Sequence, residues 1–88
     1  MMVRFPGFVL TDHAVVVLRE RDISIDWVRR VLEQPRLRLP DEEDPDLVHA
    51  LGPIPERENR VLKVVYNPNR DPWLIVTAYF DRAWRGLI

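Results

Sequence analysis

The stretch RVLKVVYNPNRDPWLIVTAYF, residues 60–80, decides the fold. Its two halves, RVLKVVYN (60–67) and WLIVTAYF (73–80), are rich in β-branched and aromatic residues, which suit a pleated, half-buried surface. Between them PNRDP (68–72) places Pro, Asn and Asp where a chain turns back, so the pair reads as a hairpin and not a crossover. Strand alternation then sorts the side chains into faces. Leu62, Val64 and Tyr66 share one face of the first strand, and Leu74, Val76, Ala78 and Phe80 share one face of the second. Both sets are almost wholly apolar and are expected to meet helices. The opposite face collects Val61, Lys63 and Val65 with Trp73, Ile75, Thr77 and Tyr79.

Upstream of residue 36 the period is helical. Thr11 or Asp12 is the expected N-cap of a first helix, because a short side-chain oxygen takes up a free backbone N–H there. Ala14, Val17, Leu18 and Arg21 then share one face, although the run Val15-Val16-Val17 suits a strand as well. Ser24 caps a second helix, with Asp26 in its first turn, an apolar stripe of Trp27, Val28, Val31 and Leu32, and a stop at Pro35. Beyond it RLRL (36–39) and LVHAL (47–51) are short strand candidates, separated by the acidic loop DEEDPD, and GPIPERE reads as a turn-rich connection. The expected fold is a single α+β domain over residues 1–88. Two N-terminal helices pack on one face of a three- to four-stranded antiparallel sheet.

Bulk properties limit the function classes. The 88 residues suffice for one small core. Thirteen Lys and Arg against fourteen Asp and Glu give a net charge of −1, so whole-molecule steering toward nucleic acid is not expected. With no cysteine there is no disulfide framework and no thiolate metal site, and no cofactor is expected. The apolar part of MMVRFPGFVL is short and broken by Pro6 and Gly7, which argues against a signal peptide and for a cytoplasmic protein without a membrane partner.

Candidate chemistry gathers on the second sheet face. By parity His49 joins Lys63, Thr77 and Tyr79 there, while Val48 and Ala50 point inward. Cations hold a phosphate, aromatic rings stack on bases, and a His or Tyr moves a proton, so this face suits binding or cleaving a phosphodiester. Each residue taken singly also has a plain structural reading as a solvent-facing strand position. His13 has the pKa range of a proton carrier and equally the position of a capping residue. Arg21, on the apolar side of its helix, is expected to lay its stem on the core and bring its guanidinium to the sheet. Two distant histidines without carboxylates at ligand spacing make no metal site, and three glycines build no nucleotide loop.

TDHAVVVLRERDISIDWVRRVLEQP (11–35) is similar to the opening of a bacterial family of unknown function. The shared pattern is a His-Ala pair, an arginine before an Ile-Ser helix start, and a V..VL..P run; RVLKVVYNP and LIVTAYFDR resemble its closing hairpin. That family in turn resembles the RelE/ParE superfamily of small toxins. The resemblance implies two helices on an antiparallel sheet; members of the wider group are often ribosome-linked or free endoribonucleases paired with an antitoxin, and others poison gyrase or have no demonstrated activity. Its pattern touches His13, Ala14, Arg21, Arg60, Thr77, Tyr79 and Arg82. The near-neutral charge departs from the strongly basic toxins, which lowers the expected grip on RNA. The leading expectation is a metal-independent endoribonuclease. Arg21, Arg60, Lys63, Thr77 and Arg82 hold substrate, and His13 or His49 shuttles a proton with Tyr79. The alternative is a non-catalytic interaction module that docks a partner or a second copy of itself. It would use an apolar patch of Val65, Trp73, Ile75 and Tyr79, with Trp84 as an anchor.

Overall fold

The computed structural model describes residues 2–88. Six strands and two helices make the α+β fold: β1 (Val3–Phe5), β2 (Phe8–Leu10), α1 (Asp12–Glu20), α2 (Ile25–Glu33), β3 (Leu37–Pro40), β4 (Val48–Ile54), β5 (Arg60–Asn67) and β6 (Trp73–Phe80). Short 3-10 turns at Pro55–Arg57 and Arg82–Trp84 complete it. The sheet is larger than expected and mixed, in the order β1-β2-β6-β5-β4-β3. Every neighbouring pair is antiparallel except β2 and β6, which run parallel.

Two strands come from the segment that composition had marked only as broken. Pro6 and Gly7 close a tight hairpin between β1 and β2, with Phe5 opposite Phe8. Proline presets the first turn position, and Gly7 takes φ +88°, which a residue with a Cβ rarely adopts. Arg29 of α2 ties the hairpin down, donating to the Pro6 carbonyl at 3.1 Å with its guanidinium 5.0 Å from the Phe8 ring centroid. β4 also runs further than expected, through Gly52 and Pro53 to Ile54. β3 pairs only with residues 48–51 of β4, so Pro53 lies where β4 is a free edge, and there a missing N–H costs the ladder nothing.

Both helices start on side-chain caps. Thr11 Oγ1 accepts the Ala14 N–H at 3.0 Å, and Ser24 Oγ accepts the Asp26 N–H at 3.1 Å. Caps of this kind stabilise a helix by about 1 kcal/mol each. α1 lies over β6 and β2, and α2 over β5 and β4. Ala14 and Leu18 of α1 and Val28, Val31 and Leu32 of α2 meet Ala50, Ile54, Leu62, Val64, Tyr66, Ile75 and Ala78 in one core.

The register of β5 on β6 corrects the face assignment. Val64 stands beside Ala78 and Val65 beside Thr77, but Tyr66 stands beside Ile75, so Val76 is an extra residue on β6. A bulge of this kind shifts parity by one. From Val76 back to Trp73 the faces are therefore exchanged: Ile75 is fully buried under the helices and Trp73 packs beside it, 4.9 Å from the Tyr66 ring. Trp73 and Ile75 thus leave the face that holds Val65 and Tyr79, and the proposed docking patch is split between the two sides of the sheet.

Candidate functional site

On the face away from the helices, register builds two rows. His49, Val65 and Thr77 form one across β4, β5 and β6; Leu51, Lys63 and Tyr79 form the next. Leu51, Val61 and Val65 are buried here as well, so this face is covered and not open. The chain after β6 and the loop that opens at Asp41 both lie against it. Asp81 donates its N–H to the Val61 carbonyl at 2.9 Å, and its Oδ1 accepts the Ala83 N–H at 3.0 Å to cap the turn Arg82–Trp84. Trp84 is thereby placed beside the sheet, where it lines a cleft of 390 Å³ with Leu39, Pro40, Asp41, Glu42, His49 and Lys63.

His49 and Lys63 each bring an ionic pair to this cleft, although Asp81, the partner of Lys63, lines the neighbouring one. His49 Nε2 lies 2.7 Å from Asp41 Oδ1, and Lys63 Nζ lies 2.7 Å from Asp81 Oδ2 and 5.5 Å from the Tyr79 ring centroid. The side chains of His49, Asp41, Lys63 and Asp81 keep only 17%, 23%, 12% and 18% of their exposure, so both pairs are largely screened from water. Asp41 Oδ2 accepts the N–H groups of Asp44 at 2.9 Å and Glu43 at 3.1 Å. The Asp44 N–H, then His49, then the Glu43 N–H hold the Asp41 carboxyl below its usual range. An ionised carboxylate only accepts, so the shared hydrogen sits on His49 Nε2, and in the neutral imidazole the lone pair is then on Nδ1. Burial pulls Lys63 down, but the hydrogen bond to Asp81 and the charges of Tyr79 and Asp81 together outweigh it and raise its pKa. Asp81 is lowered, first by Lys63, then by the Ala83 N–H, with a smaller contribution from the charge of His49, so the two pairs sense one another.

The cluster joins four of the residues singled out in the sequence: His49, Lys63, Thr77 and Tyr79. It excludes others. His13 is exposed in the first turn of α1, in the helical layer. Arg21 does reach the sheet, but its Nη1 donates to the Ala78 carbonyl at 2.8 Å. Beyond β2 that edge of β6 lacks a strand partner; Thr11 takes the Ile75 and Val76 carbonyls and Arg21 takes the next one. Arg21 thus closes a sheet edge. Arg60 and Arg82 line a second cleft, on the other side of the Arg82–Trp84 turn, of 660 Å³. Sequence reasoning missed Asp41 and Asp81. Asp41 opens a loop legible only as acidic, and Asp81 follows the last residue of β6.

The family described as a domain of unknown function (DUF4258) matches residues 10–80. The chain belongs to that family. The DUF4258 match spans both helices and β3 to β6, and it includes His49, Asp41 and Lys63; Asp81 and the Arg82–Trp84 turn lie beyond it. No curated protein and no solved structure matches the chain. Among the described residues no helix is long and apolar enough to cross a membrane, and no three His, Asp or Glu side chains converge to hold a metal ion.

Proposed function

We propose that this chain is a toxin-like RNA-binding domain that cleaves RNA, with His49 as its proton carrier. The observation that supports this reading best is the 2.7 Å contact of His49 with Asp41, on the sheet face that also holds Lys63 and Tyr79. Asp41 orients the imidazole and leaves Nδ1 free to accept. The RNA 2′-hydroxyl gives its proton to Nδ1 as its oxygen attacks the adjacent phosphorus. The bond from phosphorus to the 5′-oxygen breaks, a 2′,3′-cyclic phosphate remains, and the leaving oxygen takes a proton from Tyr79. Lys63 offsets charge on the phosphoryl oxygens. We read the DUF4258 family itself as akin to the RelE/ParE toxins, and on that reading the partner is an antitoxin protein. His13 and Arg21 have no part in this arrangement.

Purified His49→Ala, Asp41→Asn and Tyr79→Phe variants, assayed on defined oligoribonucleotides and for growth arrest, test the proposal. His49→Ala is expected to lower cleavage by about 10²- to 10⁴-fold, with circular dichroism unchanged. A folded His49→Ala protein that cleaves like the parent, or a parent chain with no cleavage at all, would remove His49 and the activity respectively.

A further inference from the structure

The 660 Å³ cleft lies at the end of the sheet where β5 begins and β6 finishes, between the two 3-10 turns. Four arginines line it, Arg57, Arg60, Arg82 and Arg85, together with Glu56, Glu58 and Asp81. The nominal charge is small, but each carboxylate must be traced to its partner. Glu56 is held from outside by Arg30 of α2, through two bonds of 2.9 and 2.7 Å that push its carboxyl down to about 2. Both oxygens of Asp81 are engaged, one by Lys63 and one by the Ala83 N–H. Glu58 is loosely opposite Arg85 at 3.8 Å. Arg57 donates to the carboxylate and carbonyl of Asp22, which does not line the cleft. Arg60 and Arg82 remain, with no carboxylate within 4 Å among the described residues.

Two uncompensated guanidinium groups facing one cleft suit a dianion. The site is also partly pre-arranged. The Phe80 ring carries the Arg60 guanidinium at 4.5 Å and that of Arg57 at 5.9 Å, and Arg57 also lies 5.2 Å from the Trp27 ring. Ring contacts hold the planar groups in place, so less side-chain entropy is lost when they bind. Guanidinium groups meet phosphate oxygens in bidentate geometry, with charge-assisted bonds stronger than neutral ones. We infer that this cleft is a phosphate-group site that takes a dianionic phosphomonoester, from a free small phosphate or from the 5′ end of an oligoribonucleotide. It adjoins the His49 cleft through the Lys63–Asp81 pair, but none of its arginines lines that cleft, and it stands whether or not the chain cleaves RNA.

The test is a titration of the full ¹⁵N-labelled chain, followed by NMR at low salt. The ligands are inorganic phosphate, a short 5′-phosphorylated oligouridylate, and the same oligomer with a 5′-hydroxyl. Shifts are expected at residues 57–61 and 80–85 with the first two ligands and not with the third. Tighter binding of the phosphorylated oligomer than of phosphate identifies an RNA end as the source, and equal binding identifies a free phosphate. Affinity should rise from pH 5 to pH 7, as the phosphate's second ionisation near about pH 6 completes. Arg82→Ala, on an exposed side chain, should weaken binding about tenfold, and Arg60→Gln likewise, whereas Arg38→Ala on β3 should leave it unchanged. Shifts scattered over all arginines, equal binding of the 5′-hydroxyl oligomer, or unaltered affinity in Arg82→Ala would each overturn the site.

Discussion

The two faces of one sheet are covered in different ways, and the difference decides where charged side chains can stand. On one face Leu62, Val64, Tyr66 and Ala78 meet two capped helices, and the contact is apolar but for the Tyr66 hydroxyl. On the other face Leu51, Val61 and Val65 are buried as deeply, yet His49 and Lys63 stand among them, paired with Asp41 and Asp81. A helix supplies a continuous apolar stripe and excludes water. A short 3-10 turn carrying one tryptophan covers less and leaves a cleft beside it. Charged groups persist there because each has a partner and partial access to solvent. Such half-screened pairs are where proton transfer can be tuned.

The comparison can be broken first by cavities. Leu62→Ala, under the helices, should cost about 2–5 kcal/mol in denaturant-induced unfolding, and Val65→Ala on the other face should cost clearly less, because the thinner cover can settle. Equal costs would mean that both faces are packed to the same density. A smaller effect is expected from Asp81→Asn, which removes the partner of a largely screened lysine and weakens the cap of the Arg82–Trp84 turn; a loss of about 1–3 kcal/mol follows, accompanied by increased Trp84 exposure in fluorescence quenching. Unchanged quenching would show that the C-terminal turn is held by something else.

Tyr66 sharpens the contrast from the helix side. Its hydroxyl is buried with no hydrogen-bond partner among the described residues. Tyr66→Phe should therefore leave the urea midpoint unchanged or raise it, by up to about 1 kcal/mol in stability, although most buried truncations lower it. The smallest effect is titration of the paired carboxylates. Asp41, Glu56 and Asp81 all have carboxyl pKa values below their ordinary range. The unfolded chain binds their protons more readily, so the stability they add is full above their unfolded values, near about pH 4. It is lost as pH falls through the folded ones. The urea midpoint should decline shallowly from pH 5 to pH 2, and Glu56→Gln should remove part of that slope. A midpoint independent of pH would show that these pairs do not contribute to folding.

Much of the architecture was legible locally. The bounds of β5 and β6 follow from β-branched composition and the PNRDP turn, and α2 from Ser24, its apolar stripe and Pro35. β1 and β2 were not legible, because three residues are too few to show a period; only Pro6-Gly7 as a turn pair signalled them. Gly52 and Pro53 looked like loop residues because sequence does not say where β3 stops pairing. At the candidate site, parity alone brought His49, Lys63, Thr77 and Tyr79 to one face. Asp41 and Asp81 stayed hidden because each reaches its partner by where a loop or turn settles over the sheet.

The amino-acid order by itself determined the helices, the main hairpin and the α+β class, since these rest on caps, periodicity and turn residues that act over a few positions. Tertiary structure alone decided the Val76 bulge that moves Ile75 and Trp73 under the helices, the binding of Arg21 to a sheet edge, and the pairing of His49 with Asp41. Each of those depends on which strands become neighbours, and a pattern of local preferences carries no record of that.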